Sequence, residues 1–112
     1  MTETITTDLL VIGAGPADYT AAIYAARANL SPVLVAGLQP GGQLTITAEV
    51  ENYPGFATAI QGPWLMQQMA EQARNVGTRI EYDIITDVKL DGGSPFRLVG
   101  DSGTVYIARS VI

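Results

Sequence analysis

The run Leu9-Leu10-Val11-Ile12 ends in Gly13-Ala14-Gly15-Pro16-Ala17-Asp18 and passes straight into YTAAIYAARANL. That order leaves few folds open. Four consecutive apolar residues closing on a glycine suit a short strand buried on both faces of a parallel sheet. Pro16 fits a first helical position, where its missing N–H goes unneeded. Ala21, Ala22, Ala25 and Ala26 recur at helical spacing, and a face of such small side chains lets a helix lie close on a sheet. The spacing predicts a helix over 16–29, ended near Asn29 and barred from continuing by Pro32. VLVA, at 33–36, reads as a second buried strand. Strand, helix and strand within about thirty residues make a βαβ unit, right-handed by default.

The next stretch, GLQPGGQLTITAEVENYPGF, is rich in glycine and proline and long for a connection in a compact domain. Long loops of this kind are disproportionately functional. Residues 63–76 read as a second helix, with Leu65, Met69, Ala73 and Val76 on its buried face and Gly77 as its stop. A third short strand is expected at 79–82. ITDVKL, FRLV and TVYIA, separated by DGGSP and GDSG, read as three antiparallel strands over about 84–108. SVI then begins another apolar strand. The fold class is α/β, a Rossmann-like three-layer unit of parallel sheet, helix layer and small antiparallel β-sheet. At 112 residues the chain is one domain at most.

Composition narrows the chemistry. A hydrophobic content of 47% supports a packed core. Eleven acidic residues against six basic ones, a net charge of -5, argue against nucleic acid and against anionic membrane surfaces. The same balance attracts no anionic cofactor, so any phosphate site must be made locally. There are no cysteines and no histidines, which excludes a disulfide, a thiolate nucleophile and the usual zinc sites. MTETITTD lacks the basic-then-apolar order of a secretory signal. No apolar run approaches the ~20 residues of a membrane helix, so a soluble cytoplasmic protein is the default expectation. Trp64, the Tyr19 and Tyr24 pair and the Asp101-Ser102-Gly103 turn read as packing and punctuation. No acid–base pair, activated nucleophile or metal cluster stands out.

The glycine turn invites a more specific reading. In a dinucleotide fold the first glycine permits the tight turn, the second lets backbone approach the pyrophosphate, and the third lets helix and strand pack closely. The phosphates rest on free N–H groups at the helix N-terminus. Gly13 and Gly15 are in place, but Asp18 stands where the third glycine belongs. The acid expected about 20 residues further on is also missing, since no Asp or Glu lies between Asp18 and Glu49. A plain NAD site is disfavoured. These residues alone leave open a nucleotide site or a turn that has kept only its shape.

VIGAGPADYTAAIYAARANL, GLQPGGQLTITAEVENYPGF and GPWLMQQM together resemble the bacterial low-molecular-weight thioredoxin reductases, and the likeness runs on through PFRLVGDSGTVYIARSVI. PGGQL and VENYPG are the more specific pieces. The resemblance implies the N-terminal part of an FAD-binding domain, here incomplete. It implies that Gly13, Gly15, Pro16 and Ala17 line the pyrophosphate. It puts Gly37, Gly42, Gln43 and Leu44 on the ribityl and ribose side, Asn52 beside the isoalloxazine, and Asp87 and Val88 near the adenine through backbone.

The departures from the family set further expectations. Its chains go on to an NADPH domain with a Cys-x-x-Cys pair and then return to complete the FAD domain. This sequence carries neither, so it is expected not to be a complete disulfide reductase, and thioredoxin is implied as a partner only for the full-length enzyme. Asp18 as the third helical residue would take up the N–H groups a pyrophosphate uses, so FAD is expected to bind weakly or not at all. A second reading is a non-catalytic remnant that self-associates or binds a partner; a third is a general nucleotide-binding module. The family's strand order places the apolar strand that starts at Arg109 and reaches Ile112 beside the first strand with its outer edge open, which implies a homo-oligomer.

Overall fold

The computed structural model describes residues 2–37 and 49–112. Their elements are β1 (Thr4–Thr7), β2 (Leu10–Ile12), α1 (Pro16–Arg27), β3 (Val33–Val35), β4 (Glu49–Val50), β5 (Ile60–Gln61), α2 (Gly62–Asn75), β6 (Arg79–Glu81), β7 (Ile85–Lys89), β8 (Phe96–Gly100) and β9 (Val105–Ala108). Strands β2, β3 and β6 form a parallel sheet in the order β2-β3-β6. A second sheet, ordered β1-β9-β8-β7, is antiparallel except for the parallel pairing of β1 with β9. Strands β4 and β5 make a separate two-residue pairing.

Alternation along the central strands explains the layers. Side chains of a strand point to opposite faces in turn. Val11 and Leu34 join Ala22, Ala25, Leu65, Met69 and Ala73 in the cluster between the parallel sheet and the two helices. Their neighbours Leu10, Val33 and Val35 join Leu98, Tyr106 and Ala108 in a second cluster against the other sheet. Both faces of β2 and β3 are thus covered, which is why these strands are continuous apolar runs. Helices, parallel sheet and second sheet are the three layers anticipated from the sequence.

The helix ends follow local chemistry. Helix α1 stops at Arg27, two residues before the predicted end. Asn29 adopts the left-handed region at φ 62, and the Leu30 N–H closes the turn on the Ala25 carbonyl at 3.0 Å. Helix α2 begins at Gly62 with Pro63 in its first turn and is followed by Gly77 at φ 113. The stretch SVI lies beside β2 as expected. The Leu10 N–H donates to the Ser110 carbonyl and the Ile112 N–H to the Leu10 carbonyl, both at 2.9 Å, and Leu10 bridges Val111 in parallel. Strand β1, for which the sequence sets no expectation, runs parallel to β9. Buried Thr7 links it to the central sheet, its hydroxyl donating to the Ser31 carbonyl at 2.8 Å and accepting from the Leu9 N–H at 3.2 Å.

Candidate functional site

Strand β2 delivers the chain to the glycine turn at the carboxyl edge of the parallel sheet. Gly13 turns out of the strand at φ 130, and its N–H donates to the Val35 carbonyl at 2.9 Å. Gly15 caps α1, and Pro16, Ala17 and Asp18 form the first helical turn. A helix start leaves its first N–H groups without backbone partners. Here Asp18 answers one of them from within the chain: its Oδ2 accepts from the Gly15 N–H at 3.0 Å. The carboxylate folds back over the turn so closely that a Cβ on Gly13 would sit 2.6 Å from Oδ2. Position 13 is therefore restricted to glycine by its backbone conformation and by the overlying carboxylate.

A cleft of about 200 Å³ opens beside the turn, lined by Ile12, Gly13, Val35, Ala36, Gly37, Asp83, Ile84 and Ile85. It lies at the carboxyl ends of β2, β3 and β6. Strand β2 has β3 on one side and residues 110–112 on the other, so the crevice is next to the point where strand order reverses, where open α/β sheets bind ligands.

Asp83 forms the back of this cleft and is 6% exposed. Its Oδ1 accepts from the Ile84 N–H at 2.8 Å and the Ser102 N–H at 3.1 Å. Its Oδ2 accepts from the Ser102 hydroxyl at 2.7 Å and the fully buried Tyr106 hydroxyl at 2.9 Å. Burial alone would raise the carboxyl's pKa; these donors outweigh burial and hold it below the usual carboxylate range. Burial and donation to Asp83 push the Tyr106 phenol up. A Cβ at Gly100 would run into the Asp83 carboxylate, so β8 needs a glycine at this close approach. The network ties the β6–β7 crossover to the turn between β8 and β9.

The residues implied by resemblance separate into groups. Gly13, Gly15, Pro16 and Ala17 are together at the turn, and Gly37 lines the cleft with Gly13. Gly42, Gln43 and Leu44 lie outside the described residues. Asn52 is exposed in the bend after β4 and does not line the cleft. Asp87 and Val88 are exposed on β7, past a register shift between Ile85 and Asp87; the residues that reach the cleft from this segment are Asp83, Ile84 and Ile85. Trp64 packs edge-on against Phe56 at 6.0 Å on the surface, away from the cleft. Asp83 carries no signal in the sequence. Its donors Ser102 and Tyr106 are remote in sequence, and no local spacing reveals such a contact. Among the described residues no group of acidic side chains could hold a metal ion.

The profile of the family described as Pyridine nucleotide-disulphide oxidoreductase matches residues 7–112. The chain belongs to that family. Among curated relatives, it is 59% identical over 108 residues to a thioredoxin reductase of Rickettsia bellii, covering 96% of this chain and 34% of the relative. To a thioredoxin reductase of Vibrio cholerae it is 60% identical over 94 residues, covering 84% and 29%. Among solved structures it superposes on thioredoxin reductase from Giardia duodenalis with a TM-score of 0.88 at 32% identity, over 96% of this chain and 34% of that one. For the Lactococcus lactis enzyme the TM-score is 0.86 at 37% identity, over 94% and 34%. The chain spans about a third of the length of these proteins. That third is similar to their FAD-binding N-terminal part.

The family is one of flavoproteins, so the turn can be tested against its group. It fits poorly. A pyrophosphate needs the N–H groups at the start of α1 and open space over Gly13. In this member of the oxidoreductase family the Asp18 carboxylate takes the Gly15 N–H and stands over Gly13.

Proposed function

We propose that this chain is an FAD-binding-type domain of the thioredoxin reductase kind whose glycine turn has been closed to the cofactor's pyrophosphate. On this reading it holds FAD weakly or not at all and carries out no disulfide reduction by itself. The 3.0 Å hydrogen bond from the Gly15 N–H to Asp18 carries the proposal. The bond satisfies a donor that a phosphate would use, and it fixes a negative charge in the same place. Reduction of thioredoxin belongs to full-length family members. With no cysteine in its sequence, this chain has no dithiol to pass electrons through.

The test is a spectrum followed by a titration. The purified chain should show no stoichiometric flavin absorbance, and FAD added to it should bind with low affinity. Tight, stoichiometric FAD in the protein as isolated would overturn the proposal. In an assay with NADPH, FAD and thioredoxin, the chain should give no reduction above background; turnover would contradict the proposal independently of the spectrum.

A second reading, in which the chain acts by self-association, rests on the position of residues 110–112. They pair with β2 on one side, and among the described residues no strand pairs with their outer side. Ile112 there is 60% exposed. An open apolar edge favours addition of a strand from a second copy. Sedimentation should reveal a dimer or larger species that grows with concentration. A monomer at every accessible concentration would remove this reading. A cytoplasmic location is consistent with both readings, and no helix among the described residues is long and apolar enough to cross a membrane.

A further inference from the structure

We infer that the groove between α1, α2 and the end of β6 is a binding site for a small carboxylic acid with an apolar body, its carboxylate held by Arg74, Tyr82 and Tyr19. The groove shares no residue with the cleft at the glycine turn, and the inference stands whether or not a nucleotide binds there.

The groove measures about 290 Å³, close to the lower end of the ~300–1,000 Å³ typical of ligand pockets. Pro63, Met66 and Ala70 give it an apolar wall along one face of α2. Its polar end is rich in donors. Arg74 Nη2 donates to the Tyr82 hydroxyl. That hydroxyl, already an acceptor, keeps its own proton to donate, and the guanidinium keeps further N–H groups. Tyr19 is 2% exposed and lines the same groove. Its hydroxyl has no hydrogen-bond partner among the described residues, where every fully buried polar side-chain atom has one. The hydroxyl is therefore the end of Tyr19 that opens on the groove. Burial pushes this phenol up, Tyr82 adds to the rise and the Arg74 charge opposes it, as expected of a hydroxyl near both. Of the lining side chains, only Gln67 carries a carbonyl acceptor. Donors gathered around a cation suit an oxyanion, and no acid is set against them. Arg74 forms no ion pair among the described residues, and residues 38–48 contain no Asp or Glu. Asp18 also acts on Tyr19, but its carboxylate turns to the Gly15 N–H. Glu71 borders a different groove with Trp64. A planar carboxylate matches the guanidinium fork, and an apolar body uses the wall of α2, which inorganic phosphate would leave uncovered.

Benzoate, benzamide and inorganic phosphate test this, each titrated calorimetrically into the full chain. Benzoate should bind with Kd on the order of 1 mM, the affinity open to a ligand of about nine non-hydrogen atoms. Benzamide keeps the ring and replaces the anion with a neutral amide; it should bind about tenfold more weakly or worse. Phosphate lacks the apolar body and should also bind more weakly than benzoate. Arg74→Gln should weaken benzoate by about tenfold or more, and Tyr19→Phe, which keeps the buried ring, by about 3- to 10-fold. Circular dichroism of both variants checks that α1 and α2 are retained. Three results would each overturn the inference: no benzoate binding at about ten times the expected Kd, benzoate binding unchanged in folded Arg74→Gln, or phosphate binding as tightly as benzoate. FAD titrated into folded Arg74→Gln should bind as it does to the unaltered chain, which keeps this site distinct from the glycine turn; a parallel loss of FAD and benzoate would merge the two and also overturn the inference.

Discussion

Asp83→Ala should lower the unfolding free energy by about 2–4 kcal/mol, the largest stability effect expected of a polar substitution among the described residues. The substitution removes an ionised acceptor of four hydrogen bonds, and bonds to charged groups contribute roughly 1.5–3 kcal/mol. The donors then fare differently. Ser102 is exposed and can turn to water, but Tyr106 is 0% exposed. Its hydroxyl would be left buried without a partner, at a cost of about 1–3 kcal/mol. Thermal unfolding should show the midpoint falling by roughly 10 °C, given about 4 °C per kcal/mol for a domain of this size. Tyr106→Phe made together with Asp83→Ala removes the orphaned hydroxyl, so the double variant should be more stable than the summed single effects allow. The pH dependence has a definite sign. The carboxyl is held below its usual range in the folded chain, so its contribution is fully present above about pH 4, near the unfolded value, and is lost as pH falls towards the lower folded value. Stability measured against Asp83→Asn should converge with the unaltered protein in acid. A difference unchanged between pH 7 and pH 3 would show that the charge on Asp83 contributes nothing.

Asp18→Gly should raise affinity for FAD by about 3- to 100-fold. A phosphate charge about 6 Å from the carboxylate is repelled by roughly 0.7 kcal/mol in water-like surroundings and by about 3 kcal/mol at an effective dielectric of 20, which spans that range of affinity. The partly exposed position of Asp18 favours the lower part of the range. The substitution also frees the Gly15 N–H and clears the space over Gly13. Helix α1 should weaken slightly in return, because an acidic residue in a first turn contributes about 0.3–1 kcal/mol. Improved cofactor binding in a less stable protein is a combination that general stabilisation cannot produce. Fluorescence titration of FAD into both proteins reads the affinity; equal values would mean that the carboxylate is harmless to the cofactor.

The layered fold was legible because its signals are local. Val33 to Val35 and Leu10 to Ile12 are uninterrupted apolar runs, and a strand covered on both faces has to be one. The stops at Asn29 and Gly77 rest on backbone conformations that few residues tolerate. Strand β1 was harder to see: Thr4-Ile5-Thr6-Thr7 contains one aliphatic residue, although its β-branched composition suits a strand and Ile5 and Thr7 are the buried members. Its partner β9 lies far off in sequence. The same distance hid the Asp83 network. At the site, the anion in the glycine turn could be anticipated from Asp18 because a helix start fixes where a third residue points. On the segment opposite, a register shift falls between Ile85 and Asp87, and Asp83, Ile84 and Ile85 are the residues that line the cleft.

The pairing of β1 with β9 also sets the order in which this protein can be made. Thr4 aligns with Val105 and Thr7 with Ala108, so Thr4–Thr7 leaves the ribosome about a hundred residues ahead of its partner. Residues 110–112 close on β2 later still. The βαβ unit formed by β2, α1 and β3 can assemble early from neighbouring segments. The second sheet depends on contacts of high sequence separation, whose loop-closure entropy is met before any stabilising contact forms. During synthesis the Thr4–Thr7 strand is an unpaired ribbon awaiting its complement, open to whatever holds nascent chains and to the same strand of a neighbouring polypeptide.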